Sequence, residues 1–318
     1  MWLEREAGLL LPVAYHHVVF TLPAAVNDLV AGNARLIYTL LFEAASDSIR
    51  EVAADPKHLG AQVGLTAVLH TWGQTLTLHP HLHIVATGGG LSCNRQGHLD
   101  DNPCWRSCRP GFFLPVRVLS RLFRGKFLAG LQEADAAGKV RWPERLLDEQ
   151  TRRQWFAELR RVEWVVFSKP PCAGAEVVLK YLARYTYRVA CSNSRLVGAS
   201  DEEVTFSWKD YRHSGRERLM TLSLDEFARR FLQHVLPKGF VRIRHYGLLA
   251  NRSREEKLEQ ARRLLNVEVQ ARPIASSAGG DGEPRRCGVC GQGVMEVVAG
   301  LPRQPGVTEL GGEPPNSS

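Results

Sequence analysis

The stretch from residue 76 to residue 86, Leu-Thr-Leu-His-Pro-His-Leu-His-Ile-Val-Ala, constrains the fold of this chain more than any other segment. Apolar residues alternate with polar ones along it, and a period of two predicts a β-strand with one buried face. The opposite face carries His79, His81 and His83. Because neutral imidazole is a common ligand of divalent metals, three imidazoles on one face of a strand favour a metal site over ordinary packed histidines.

The segments around this histidine strand predict a sheet flanked by helices. Residues 16–22 and 62–70 are rich in β-branched and aromatic types, which predicts two further strands. Residues 27–55 have leucines at near-helical spacing, which predicts a long helix. Pro80 is typical of an edge strand or a bulge, and the three glycines at 88–90 predict that the strand ends there, near an open edge. The expected fold is therefore α+β with a mostly antiparallel sheet.

Composition and pattern divide the chain into three regions. Residues 1–191 contain the histidine strand and most of the predicted helices, and we expect them to form the first domain. Residues 192–270 are rich in arginine and predict a smaller α/β region that contacts DNA. Residues 271–318 are rich in glycine and proline and predict a disordered tail. The tail holds Cys287 and Cys290, which form only half of a zinc knuckle, so a structural zinc is not expected.

Charge and cysteine content narrow the class of protein. The chain has 318 residues, a formal net charge of +8 and a sequence pI of about 9.3. A basic excess is typical of proteins with a polyanionic partner, most often a nucleic acid. Seven scattered cysteines without a secretory signal favour free thiols in the cytoplasm over a disulfide framework. Because no apolar run reaches about 18 residues, the sequence predicts no membrane span.

A second informative element is an amphipathic helix predicted over residues 175–190. Tyr181 and Tyr185 lie four residues apart and therefore share one face of that helix. Basic side chains form a column on the neighbouring strip, namely Lys180, Arg184 and Arg188. Phenols beside cations suit contact with a phosphodiester, although ordinary amphipathic helices also show this pattern. Arg252 and Arg254 extend the basic character and suit contact with a nucleic-acid backbone, or they belong to a solvated helix face.

The histidine strand and the two-tyrosine helix together resemble the HUH endonucleases, which are named for a His-hydrophobic-His motif that residues 81–83 match. In more detail the chain resembles rolling-circle insertion-sequence transposases of the insertion sequence 91 type. The resemblance covers residues 9–267 with its motifs in the expected order. The stretches that carry it are residues 17–23, 78–83 with the glycines at 88–90, 181–190, 227–237 and 242–251.

This resemblance implies a transposase that cleaves and rejoins single-stranded DNA at transposon ends and target through a 5′-phosphotyrosine intermediate. It implies a divalent metal, usually Mg²⁺ or Mn²⁺, with His81 and His83 as ligands. It also implies that Tyr181 and Tyr185 are the nucleophiles. Members of the family carry a cysteine-rich zinc module ahead of a Leu-Pro-Val segment, and this sequence starts close to that segment, so the module is expected to be absent.

Two points stay open at the level of sequence. Two histidines rarely complete a metal site, and the third ligand is expected to be His79, with Gln74 as the alternative. The function also has alternatives, which are a non-catalytic DNA-binding remnant, a replication initiator or relaxase, and a cupin-like metalloenzyme. The cupin pattern begins well with Gly73 followed by two histidines, but it then requires a glutamate where Val85 and Ala86 stand.

Overall fold

The histidine strand lies at the centre of a six-stranded antiparallel sheet. The structure is a computed structural model and describes residues 8–169, 190–213 and 215–266. The described strands are β1 (Tyr15–Thr21), β2 (Ala61–Trp72), β3 (Leu78–Ser92), β4 (Trp105–Ser107), β5 (Val166–Ser168), β6 (Leu196–Ala199), β7 (Glu203–Asp210), β8 (Arg216–Ser223) and β9 (Ile243–Gly247). The central sheet has the order β5-β1-β3-β2-β9, and β4 pairs with the glycine-rich end of β3.

Helices cover one face of the central sheet. The described helices are α1 (Asn27–Ala54), α2 (Val116–Ala136), α3 (Glu149–Arg161), α4 (Leu224–Leu232) and α5 (Arg254–Leu264). Side chains of α1, α2 and α3 share one core with β1, β2 and β3, and the ring centroids of Phe20 and Phe123 lie 5.1 Å apart in it. Leu82, Ile84 and Ala86 of β3 are fully buried in that core. The alternation predicted for residues 76–86 is therefore confirmed from Leu78 onward, whereas Leu76 and Thr77 precede the strand. The predicted α+β fold and long helix are also confirmed.

The strand continues through its three glycines, so the prediction that it ends there is wrong. β3 continues to Ser92, and neighbouring backbone approaches each glycine too closely for a side chain. A Cβ atom at Gly88 would lie 2.6 Å from the carbonyl oxygen of Ala14, and one at Gly90 would lie 2.2 Å from that of Gln62. The glycines therefore admit neighbouring chains instead of breaking the strand.

The site also does not lie at an open edge. β1 and β2 pair with the two sides of β3 at the level of its histidines. The pairing of β2 with β3 shifts register between His70 and Trp72, beside Pro80. This irregularity explains how a central strand accepts a proline, since a bulge removes the need for the missing amide proton. The prediction of a bulge is confirmed and that of an edge position is not.

A second, smaller sheet has the order β6-β7-β8, and α4 packs beside it. Phe206 of β7 is fully buried in a cluster with Leu76, which lies in the turn between β2 and β3. Ser223 caps α4, because its side chain accepts a hydrogen bond from the backbone of Glu226. β9 belongs to the central sheet and pairs with β2, although the sequence predicts a separate region over residues 192–270. The predicted domain boundary after residue 191 stays a prediction.

Some predicted features lie outside the described residues. They are the two-tyrosine helix predicted over 175–190, apart from its last residue, and the tail with Cys287 and Cys290. Within the described ranges, none of the helices has the length and apolar character that crossing a membrane requires.

Candidate metal centre

Three histidines from two adjacent strands meet on the face of the sheet opposite the helices. His70 of β2 and His81 of β3 are direct partners across the antiparallel pair, and His83 follows on the same face of β3. The ring centroid of His83 lies 4.4 Å from that of His70 and 4.9 Å from that of His81. One nitrogen atom from each ring lies within 4.8 Å of those of the other two. The three imidazoles can therefore turn toward one ion.

Hydrogen bonds fix the orientation of two of these rings. Nδ1 of His81 lies 2.6 Å from the backbone carbonyl oxygen of His79. A carbonyl oxygen only accepts, so Nδ1 carries the proton and Nε2 of His81 keeps its lone pair for a metal. Nδ1 of His83 lies 2.9 Å from Nε2 of His17, which projects from β1. This kind of support orients ligand histidines in metalloproteins.

Burial keeps the imidazoles of His81 and His83 in the neutral form that binds metals. Desolvation lowers the pKa of His81 to about 4, and the carbonyl of His79 opposes that shift only in part. Desolvation, together with the nearby His70, holds the pKa of His83 well below its ordinary range. At neutral pH the ring nitrogens are therefore available as ligands without the loss of a proton.

The third member of the cluster is not the residue that the sequence analysis favoured. His79 is exposed at the start of β3, and its ring centroid lies 5.0 Å from that of His81. It lies outside the group of three, and its backbone carbonyl supports His81 instead. Gln74 contacts the small sheet, where its side-chain oxygen accepts a hydrogen bond from the backbone N–H of Lys209. The structure thus presents His70 as a further candidate ligand.

His70 could have been found from the sequence only with the strand register. It lies at the end of the predicted strand 62–70, and the turn that follows leads directly into the histidine strand. An antiparallel hairpin over this segment has to place some residue of β2 opposite His81. The turn residues, including Leu76 with φ of 59°, decide that this residue is His70.

Of the other predicted site residues, the structure describes Arg252 and Arg254. The predicted nucleophiles and basic column lie outside the described residues, namely Lys180, Tyr181, Arg184, Tyr185 and Arg188. Arg252 is exposed, and Arg254 donates a hydrogen bond to the side chain of Asn251 at 3.3 Å near the start of α5. The predicted contact of these two arginines with DNA stays a prediction.

The donor set fits a divalent metal ion. Three neutral imidazole nitrogens suit first-row transition ions, whereas Mg²⁺ prefers oxygen ligands and several waters.

The fold gives no support to the cupin alternative, because cupins are double-sheet jelly rolls and the described sheet packs against helices. Fold and site thus define an α+β protein with a candidate three-histidine metal centre on an antiparallel sheet.

Comparison with known proteins shows the family. Residues 64–257 match a protein family described as "Putative transposase", and the chain belongs to that family. It is 51% identical over 310 residues to "Putative transposase y4qJ" of Sinorhizobium fredii, and the alignment covers 93% of this chain and 76% of that protein. It is 28% identical over 306 residues to "Transposase for insertion sequence element IS801" of Pseudomonas savastanoi pv. phaseolicola, which covers 94% and 71%.

Comparison with solved structures gives a remote match. The superposition on TrwC complexed with a 27-mer DNA has a TM-score of 0.28 and 14% sequence identity, and it covers 78% of this chain and 73% of that one. The relatives by sequence are sufficient to confirm the predicted resemblance to insertion-sequence transposases.

Proposed function

We propose that this protein is a metal-dependent transposase that cleaves and rejoins single-stranded DNA through a 5′-phosphotyrosine intermediate. The observation that carries the proposal is the convergence of His70, His81 and His83 in a member of a transposase family. The substrates in this proposal are the ends of a transposon and its target. The resemblance of residues 181–190 to the two-tyrosine motif supplies the nucleophiles.

His70, His81 and His83 would hold the ion. When bound, a divalent metal polarises the scissile phosphate and stabilises the negative charge that develops on its oxygens. Support from the carbonyl of His79 and from His17 orients the two β3 rings in the protein without DNA. The nitrogen-rich donor set favours manganese or a later transition ion over magnesium.

The tyrosines carry the covalent step. The phenolate oxygen of Tyr181 or Tyr185 attacks phosphorus, and the bond from phosphorus to the 3′ oxygen breaks. The products are a 5′-phosphotyrosine and a free 3′-hydroxyl, whose oxygen takes up a proton. Attack of a 3′-hydroxyl on the phosphotyrosine reverses the step and joins strands. Since a free tyrosine has a pKa near 10, the phenol requires activation, and the cationic neighbours Lys180 and Arg184 favour the phenolate.

A covalent-adduct assay tests this proposal. Purified protein is incubated with Mn²⁺ and a labelled pool of randomised single-stranded oligonucleotides, and adducts that survive SDS are counted. Replacement of His70, His81 or His83 by alanine should abolish the adduct, as should EDTA with the unchanged protein. His98→Ala is the matched control, because His98 is exposed and lies beyond the C-terminal end of β3, whereas His81 and His83 lie near its start. Undiminished adduct formation in EDTA would overturn the metal assignment.

A further inference from the structure

We infer that the turn between β7 and β8, described at residues 209–213 and 215–218, is a contact site for single-stranded DNA in which Tyr211 stacks on a base. This inference rests on the proposed DNA substrate and adds a second place where the strand is held. None of the predicted DNA-binding residues lies in this turn. Four features of the turn support the inference, namely the exposure of Tyr211, the fixed geometry around it, the local charge and the connection to the histidine strand.

Tyr211 stands out by its exposure. It lies in a single 3₁₀ turn, and 71% of its surface is accessible, more than for any other large hydrophobic side chain in the described part of the chain. The other described tyrosines are packed, since Tyr15 and Tyr38 are buried and Tyr246 is half-buried. Its aromatic ring therefore offers a flat face to solvent, and no other side chain among the described residues is recorded as stacking on it.

Contacts of Asp210 fix the described part of the turn around Tyr211. Asp210 is buried, and its carboxylate accepts a hydrogen bond from Nδ1 of His213 at 2.8 Å and pairs with Nε of Arg218 at 3.1 Å. Gly215 closes the turn with φ of 72°, and its N–H donates to the carbonyl of Asp210 at 2.9 Å. Burying a carboxylate costs several kcal/mol unless it is paired. Here the buried carboxylate holds two exposed side chains on either side of Tyr211, which lowers the entropy cost of binding.

The local charge favours a polyanion over a protein surface. Residues 209–218 contain four basic and two acidic residues, and one of the acidic residues is the buried Asp210. Lys209, Arg216 and Arg218 are exposed around the tyrosine. Proteins that bind single strands combine aromatic platforms for bases with cations that follow the phosphates. Bases within a duplex are already stacked, so an isolated aromatic ring selects single strands.

The turn is also attached to the strands that carry the histidines. The backbone N–H of Lys209 donates a hydrogen bond to the side-chain oxygen of Gln74. The guanidinium of Arg195 donates a hydrogen bond to the backbone carbonyl of Gln74. Phe206 of β7 packs in one cluster with Leu76. Gln74 and Leu76 belong to the segment between β2 and β3, which carry the candidate ligands. A nucleotide stacked on Tyr211 is therefore held relative to the metal centre through continuous packing.

Binding and crosslinking experiments test the inference. Affinity for fluorescent oligothymidylate is measured by anisotropy in EDTA, so that no cleavage occurs. Tyr211→Ala should weaken binding by about 5- to 150-fold, the range measured for loss of one base stack, whereas Tyr211→Phe should bind as the unchanged protein does. Affinity for a duplex should be the same in all three. Phe112→Ala is the matched control, because Phe112 is another exposed aromatic residue on a different loop.

Crosslinking identifies the contact directly. Oligothymidylate with 5-iodouracil is irradiated on the protein, and the crosslinked peptide is identified by mass spectrometry. A crosslink on Tyr211 supports the inference. Equal affinity of Tyr211→Ala and the unchanged protein, with crosslinks elsewhere, overturns the inference and leaves the proposed function intact. Absence of any single-strand binding by the unchanged protein would instead count against the proposed function.

Discussion

Nε2 of His17 lies 2.9 Å from Nδ1 of His83, and the two rings are parallel to within 8°. If His83 binds metal through Nε2, its Nδ1 carries the proton and donates a hydrogen bond to Nε2 of His17. His17 then sets the tautomer of a candidate ligand from a separate strand. Such support changes metal affinity without direct contact between the supporting residue and the ion.

We therefore expect His17→Phe, which keeps a stacked ring but loses the acceptor, to weaken Mn²⁺ binding about 10- to 100-fold. Titration calorimetry on the protein without DNA measures this directly. His16→Phe is the matched control, because His16 is the neighbouring residue and stacks on Phe113 at a centroid distance of 5.0 Å. Equal Mn²⁺ affinity of His17→Phe and the unchanged protein would show that His83 needs no partner to bind metal.

The choice of third ligand makes a second prediction. His70→Ala should reduce Mn²⁺ affinity at least as strongly as His81→Ala. His79→Ala should have little effect, because His79 supports His81 through a backbone carbonyl that alanine also possesses. Calorimetry of the three variants distinguishes the two candidates. A severe loss with His79→Ala and a mild one with His70→Ala would restore His79 as the ligand.

The donor chemistry predicts the order of metal affinity. Three imidazoles should bind Mg²⁺ most weakly and then Mn²⁺, Co²⁺ and Ni²⁺ with rising affinity. Since a ligand stabilises the folded state that binds it, a metal at about 100 times its dissociation constant should raise the unfolding free energy by about 2.7 kcal/mol. Thermal unfolding with each metal, and after EDTA, measures the effect. Equal shifts with Mg²⁺ and Ni²⁺ would contradict a nitrogen site.

The two tyrosines give a fourth prediction. Tyr181→Phe and Tyr185→Phe each remove only a hydroxyl, so both variants should still bind single-stranded DNA. At least one should lose the covalent adduct, the double variant should lose it completely, and strand joining should fall in both single variants. Mass spectrometry of the trapped adduct identifies the modified residue. Phosphotyrosine at one position under all conditions would indicate one nucleophile, and modification of Tyr187 would refute the assignment.

A histidine away from the metal centre predicts how stability depends on pH. His234 is buried between Thr71, whose hydroxyl lies 3.2 Å from Nδ1, and the carbonyl of Leu76, which lies 3.1 Å from Nε2. Desolvation lowers its pKa, although the Leu76 carbonyl opposes this shift. The unfolded chain therefore binds the proton more readily below about pH 6.5, and stability falls as the pH drops through that range.

Replacement of this histidine should change that dependence. His234→Gln should lower the unfolding free energy at pH 7 by about 1–3 kcal/mol, because a buried partner loses its hydrogen bond. The loss of stability between pH 7 and pH 5 should be smaller in the variant than in the unchanged protein. Urea unfolding at the two pH values measures both. The other buried histidines contribute equally to the two proteins, so identical pH slopes would refute the role of His234.

The sequence predicted correctly the features that depend on residues close to one another in the chain. Alternation along residues 78–86 predicted which face of β3 carries histidines, and leucine spacing predicted α1. The parts that failed depend on distant chain segments. Gly88 appears as a strand breaker in isolation, but it is required because Ala14 lies against it. β9 joins the central sheet by pairing with β2, and no feature of residues 243–247 alone specifies that partner.

The hairpin of β2 and β3 has a consequence for how the metal centre assembles. All three candidate ligands lie within residues 70–83, so only a short loop has to close before they meet. Closing a short loop loses little chain entropy, and contacts of low sequence separation form early in folding. This hairpin can thus bind an ion before β1, which precedes α1 in the chain, pairs with β3. In that order of events, a bound metal would act as a folding nucleus, and His17 would join a centre that already exists.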